Sequence, residues 1–85
     1  MQSFEYTIRD RLGIHARPAG MLVKLAGNYK SDIVFDNNGR TANLRQIFDV
    51  MDLGARYHDT ISVSISGEDE EAAAAGVREF LENHL

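Results

Sequence analysis

The 85-residue chain contains no cysteine. Disulfide bonds and thiolate chemistry are therefore excluded, and the fold must hold on its apolar core alone. Long apolar runs are missing as well. No stretch approaches the roughly 18 apolar residues of a membrane span. The opening "MQSFEYTIRD" alternates in polarity, unlike a secretory signal. Basic residues are in deficit, with nine Lys plus Arg against thirteen Asp plus Glu and a formal charge of −4. Affinity for phosphate backbones rests on basic surface, so nucleic acid is not expected as a partner. Neither a GxxxxGK[ST] loop nor a glycine-rich fingerprint occurs, so no nucleotide site is expected. No two histidines stand at ligand spacing with a carboxylate, and neither a metal nor a cofactor is expected. A cytoplasmic protein with no direct membrane insertion fits these absences. Proline occurs once, at Pro18, which makes its position informative.

What is present reads as one domain over residues 1–85. A chain of this length buries roughly 60% of the surface its unfolded form exposes. Phe4, Tyr6 and Ile8 alternate with polar neighbours, the period of a half-buried strand. From Ala16 to about Asn28, Ala19, Leu22, Val23 and Ala26 recur at helical spacing. "DIVFD" predicts a short strand that turns back at Asn38-Gly39, a strong hairpin signal, into "RTAN". Leu44, Ile47, Phe48 and Met51 suggest a short second helix stopped by Gly54. Ile61, Val63 and Ile65 alternate with serines in the cleanest strand of the chain. A last helix follows, with Asp69 as its expected cap and Ala73, Val77, Phe80 and Leu81 facing inward. The order is βαββαβα. One-sided strands and amphipathic helices predict an α+β protein, with helices on one face of a mostly antiparallel sheet.

One stretch carries chemistry: "RLGIHARPAGMLVKLAG", Arg11 to Gly27. If a helix begins at Ala16, His15 is its N-cap. The first N–H groups of a helix lack partners within it and carry partial positive charge. Pro18 then falls in the first turn, where its missing N–H breaks no bond. Arg17 offers a planar fork of donors suited to phosphate. Gly13 permits a turn before the site. Gly20, one turn in, leaves an open patch for close approach by another protein. The backbone N–H groups of Ala16 and Arg17, with the Arg17 side chain, make an anion site beside an imidazole. A neutral imidazole has a nitrogen lone pair that can attack phosphorus. His58, in the polar loop "ARYHDT", and His84, in the last helical turn, read as solvated residues, as do Arg9 and Arg11.

"GIHARPAG" followed by "NLRQIFDVMDLG" resembles HPr, the histidine-containing phosphocarrier family of the bacterial phosphoenolpyruvate–sugar phosphotransferase system. The resemblance covers the whole chain. It implies an open-faced β-sandwich of three helices over four strands in the order 1-4-2-3. It implies that His15 takes a phosphoryl group on Nδ1 from enzyme I and passes it to IIA domains of sugar permeases, with Arg17 supporting the phosphate. It further implies that Ile47, Phe48 and Met51, with Gly20 and Lys24 of the first helix, dock those partners. A monomer is expected. Ile47 and Met51, at i and i+4, also fit an inward-facing stripe, whereas Phe48 lies off it.

Two departures from the family bear on regulation. Gln46 stands where many relatives carry a serine that a dedicated kinase phosphorylates. Asp49 and Asp52 place two carboxylates on a helix whose docking face is often neutral or basic. A paralogous carrier in a nitrogen-related or other regulatory branch is the alternative. A βαββαβ RNA-binding module fits poorly, because Ser62, Ser64 and Ser66 stand where stacking aromatics would be needed. Asn43 and Gln46 have the spacing of a capping box, should the second helix start early.

Overall fold

A computed structural model describes residues Met1–Leu85. The elements are β1 (Gln2–Thr7), α1 (Ala16–Ala26), β2 (Asp32–Asn37), β3 (Arg40–Asn43), α2 (Ile47–Asp52), β4 (Thr60–Ser66) and α3 (Glu70–His84). The four strands form one sheet in the order β1-β4-β2-β3, and every pairing is antiparallel.

The most regular strand pattern occupies the inside of the sheet. Ile61, Val63 and Ile65 of β4 are fully buried. Val63 lies opposite Phe4 on one side and Phe35 on the other, and Phe35 lies opposite Ala42. That register draws an apolar row across all four strands, and the helices cover it. Pro18, Ala19, Leu22 and Ala26 of α1 face inward, as do Ala73, Val77 and Leu81 of α3. Each fully buried large apolar side chain contributes about 1.5–3 kcal/mol relative to exposure. The serines of β4 lie on the open face. At the hairpin, Asn38 and Gly39 both have positive φ, 55° and 93°, as a two-residue type I′ turn requires.

Three local expectations change. The second helix starts at Ile47, so Leu44 lies ahead of it, buried in the turn rather than on a helical face. Asn43 closes no capping box. It ends β3, and its Oδ1 accepts the Arg45 N–H at 2.9 Å in a local turn. Gln46 is the N-cap residue without a side-chain cap bond. Asp69 holds the N-cap position of α3, but its carboxylate accepts from Lys30 N, Ser31 N and Ser31 Oγ instead. A partner 38 residues away outcompetes the local cap and joins the start of α3 to the start of β2.

Candidate functional site

The segment between β1 and α1 is fixed at several points before it reaches His15. The Ile8 N–H donates to the Asp59 carbonyl at 2.8 Å, and the His58 N–H donates back to the Ile8 carbonyl at 2.9 Å. A turn follows, in which the Gly13 N–H donates to Asp10 O at 3.0 Å and the Leu12 N–H to Asp10 Oδ1 at 2.8 Å. The Ile14 N–H donates to the Ala55 carbonyl at 3.0 Å, and the Ile14 side chain is buried. Gly13 has φ +66°, and a Cβ built on it would collide with the Ala55 carbonyl oxygen. No other residue fits this approach without moving the backbone. A three-residue turn, His15 N–H to Gly13 O at 3.1 Å, then delivers the chain to the helix.

His15 is the N-cap residue, with extended backbone, φ −96° and ψ −173°. Its carbonyl accepts the Ala19 N–H at 3.0 Å, the first bond of α1. Its half-buried imidazole makes no cap bond and no other hydrogen bond within the chain. The N–H groups of Ala16 and Arg17 have no acceptor, and Pro18, buried in the first turn, has no N–H to satisfy. The first turn holds no acidic residue to neutralise this positive end. The Arg17 guanidinium is exposed and unpaired. An imidazole, two backbone donors and a guanidinium thus share one helix start, open to an incoming anion.

The apolar positions beside this helix start are exposed. Ile47 is 36% exposed, Met51 40% and Phe48 76%, while Val50 and Leu53 take the inward positions. Ile47 and Met51 are therefore not core residues. Ile47 leans on α1, its Cδ1 lying 3.9 Å from the position of a Cβ on Gly20. Lys24 stands exposed in the last turn of α1. Asp49 occupies the first turn of α2, where a carboxylate suits the dipole. The Asp52 carbonyl accepts from Arg40 Nη1 at 3.0 Å. No three histidine or carboxylate side chains converge as a metal would require.

The family described as "PTS HPr component phosphorylation site" matches residues 2–83. The chain belongs to the HPr family. It is 38% identical over 85 residues to the phosphocarrier protein HPr of Mycoplasma genitalium, covering 99% of this chain and 97% of that one. Among solved structures it resembles HPr of Thermoanaerobacter tengcongensis, with a TM-score of 0.92 and 29% identity over 98% of this chain and 93% of that one. It also resembles Crh of Bacillus subtilis, solved as a dimer with a swapped domain, with a TM-score of 0.78 and 25% identity over 94% and 92% of the two chains.

Two features of this HPr chain escape sequence reasoning. Leu12, at the tip of the turn before Gly13, is 72% exposed. It stands alone between Arg11 and Gly13, in no apolar pattern. The loop from Gly54 to Asp59 packs on Gly13 and Ile14 although it is some forty residues distant in sequence. Only the left-handed glycine could have signalled that contact. A groove of about 330 Å³ lined by Met21, Lys24, Leu25, Asn28 and Phe80 lies towards the C-terminal end of α1. His15 does not line this groove.

Proposed function

We propose that this HPr-family chain is a cytoplasmic phosphocarrier. It accepts a phosphoryl group on His15 from enzyme I and passes it to IIA domains of sugar permeases, acting as a monomer. The observation that carries this reading is the unpaired His15 ring at a helix start with two free N–H groups and an unpaired guanidinium.

The neutral ring nitrogen attacks phosphorus as the bond to the donor breaks, and the donor leaves with that electron pair. The phosphoryl oxygens then lie against the N–H groups of Ala16 and Arg17 and the Arg17 side chain. Transfer onward repeats the step with His15 as leaving group. Such chemistry asks for positioning and charge stabilisation rather than covalent help. Gly20, Lys24, Ile47, Phe48 and Met51 form the docking face in this reading. Exposed apolar atoms beside a reacting centre are a protein-interaction surface.

The test is incubation with phosphoenolpyruvate and enzyme I, followed by mass measurement and mapping of the modified residue. One phosphate, stable to alkali and lost in mild acid, is expected on His15. Incorporation that persists in His15→Ala would overturn the assignment. Offering the phosphorylated chain to sugar-specific and nitrogen-branch IIA domains identifies the acceptor, and size-exclusion chromatography with light scattering checks the monomer.

A further inference from the structure

Nine Lys and Arg residues are distributed along the chain. Several are engaged within it: Arg9 with Tyr6 and Glu82, Lys30 with Glu68, Arg40 with Asp52, and Arg45 with Asp32 and two carbonyls. Arg78 lies over the Phe4 ring, 4.1 Å from its centroid. Among those left without a hydrogen bond or ion pair, Arg11, Arg17 and Arg56 belong to the three segments that meet around Gly13–His15. Free positive charge is thus concentrated there in a chain of net charge −4.

Arg56 differs from Arg11 in how its backbone is held. A Cβ on Gly13 would lie 2.9 Å from the Arg56 Cα, so the two backbones are in contact. His15 is two residues beyond Gly13, at most about 7.6 Å further along the chain. The tight turn that follows Arg56 fixes the contact. Its N–H donates to Asp59 Oδ2 at 2.9 Å, its carbonyl accepts the Asp59 N–H at 2.9 Å, and Asn37 Nδ2 reaches the same Asp59 oxygen at 3.4 Å. His58 adopts φ +74° to close this turn, a conformation uncommon for a residue with a side chain. The carboxylates of the two loops, Asp10 and Asp59, accept the backbone N–H groups of Leu12 and Arg56, the C-terminal Leu85 accepts the N–H groups of Arg9 and Asp10, and none of the three pairs with the Arg56 guanidinium. The result is an exposed guanidinium with no partner in the chain, on a backbone anchored two residues from His15.

We infer that Arg56 is a second phosphate-binding arginine of this site, reaching the phosphoryl group of His15 from the loop packed on Gly13. The inference rests on the phosphocarrier reading above. The group makes and breaks no bond. It supplies charge-assisted hydrogen bonds to oxygens that the two backbone N–H groups and Arg17 leave open.

The test needs no partner protein. The chain is phosphorylated with phosphoramidate, a small donor, and the phosphohistidine ³¹P resonance is followed against pH. A guanidinium in contact favours the dianion, so Arg56→Gln should move the midpoint of the phosphoryl's second ionisation upward, by about half a pH unit at this water-exposed site. Arg56→Lys should restore much of the wild-type midpoint, and it replaces the glutamine variant should that variant fold poorly. Arg78→Gln removes the same charge far from the site and should leave the midpoint in place. An unchanged midpoint in Arg56→Gln, or an equal shift in Arg11→Gln, would overturn the contact while leaving the phosphocarrier reading intact. A wild-type chain that takes no phosphate on His15 would overturn both.

Discussion

The Cδ1 atom of Ile47 stands 3.9 Å from the place a Cβ on Gly20 would occupy, an ordinary van der Waals distance. Helix α1 therefore carries a glycine in its interior that sterics do not demand. Glycine there costs about 0.8–1 kcal/mol relative to alanine. Gly20→Ala should raise stability by up to that amount in chemical denaturation. A larger side chain would press on Ile47, so Gly20→Leu should displace α2 from α1 and lower affinity for enzyme I. A destabilised Gly20→Ala would show that the α1–α2 contact is tighter than this distance implies.

Arg17→Ala tests the proposed phosphate-binding role of this side chain without disturbing the fold. The side chain is exposed and makes no bond, so its loss should change stability by less than about 0.5 kcal/mol. Phosphoryl transfer from enzyme I should slow at least about tenfold, as expected for one lost charge-assisted contact at the reacting group. Stopped-flow transfer rates beside a thermal melt separate the two effects. An unaltered rate would remove Arg17 from the chemistry.

Phe48→Ala separates docking from folding in the same way. A ring 76% exposed contributes little to the core, and stability should again move by less than about 0.5 kcal/mol. In the proposed docking face this exposed ring is the candidate hot spot, so affinity for enzyme I should fall by about 1–2 kcal/mol in calorimetry. A large drop in melting temperature with unchanged affinity would make Phe48 a structural residue.

These contrasts show what the sequence could and could not convey. The period-two alternation of Ile61, Val63 and Ile65 marks β4, and the same run fits the centre of the sheet, where Val63 has Phe4 on one side and Phe35 on the other. Asn38-Gly39 marks the hairpin because two positive φ angles leave few other residue choices. The position of His15 is equally local, since Pro18 and the apolar spacing of α1 set where the helix starts. Signals that fail are those with a distant competitor. Asp69 has the chemistry of a cap, but Ser31 and Lys30 offer its carboxylate three donors. The anchoring of Arg56 on Gly13 depends on a contact between loops, which no local pattern encodes.

The Asp69–Ser31 contact predicts an acid-sensitive joint between α3 and β2. The Ser31 hydroxyl, then the Lys30 N–H, hold the Asp69 carboxyl below its ordinary value of 3.8. A carboxylate with a depressed folded-state pKa stabilises the fold above the unfolded value, and that contribution is lost as pH falls through the folded one. Stability should therefore decline below about pH 4. In Ser31→Ala the decline should be shallower and begin from a lower plateau at neutral pH. Urea melts at stepped pH measure both slopes. Identical slopes in the two proteins would assign the acid limb to other carboxylates.

Gln46 governs the last expectation. It caps α2 with extended backbone, φ −113° and ψ 101°, yet its side chain accepts nothing from the helix. Glutamine is too long to reach back as serine or aspartate does. Gln46→Ser should therefore stabilise α2 by about 0.5–1 kcal/mol, the usual worth of a new N-cap bond. The same difference bears on regulation. A serine here offers a hydroxyl to a kinase, and its phosphate would add about −1.5 to −2 charge beside Ile47, Phe48 and Met51. Glutamine has no hydroxyl, and no serine lies on α2. Ser31 is buried against Asp69, Ser3 lies within β1, and Ser62, Ser64 and Ser66 lie within β4. Offered ATP and a kinase that modifies a serine-bearing relative at this position, the chain should gain no acid-stable phosphate, and its affinity for enzyme I should not change. Its activity would then follow the phosphorylation level of His15 alone. An acid-stable phosphoserine accompanied by weaker enzyme I binding would show that a second switch operates elsewhere on the surface.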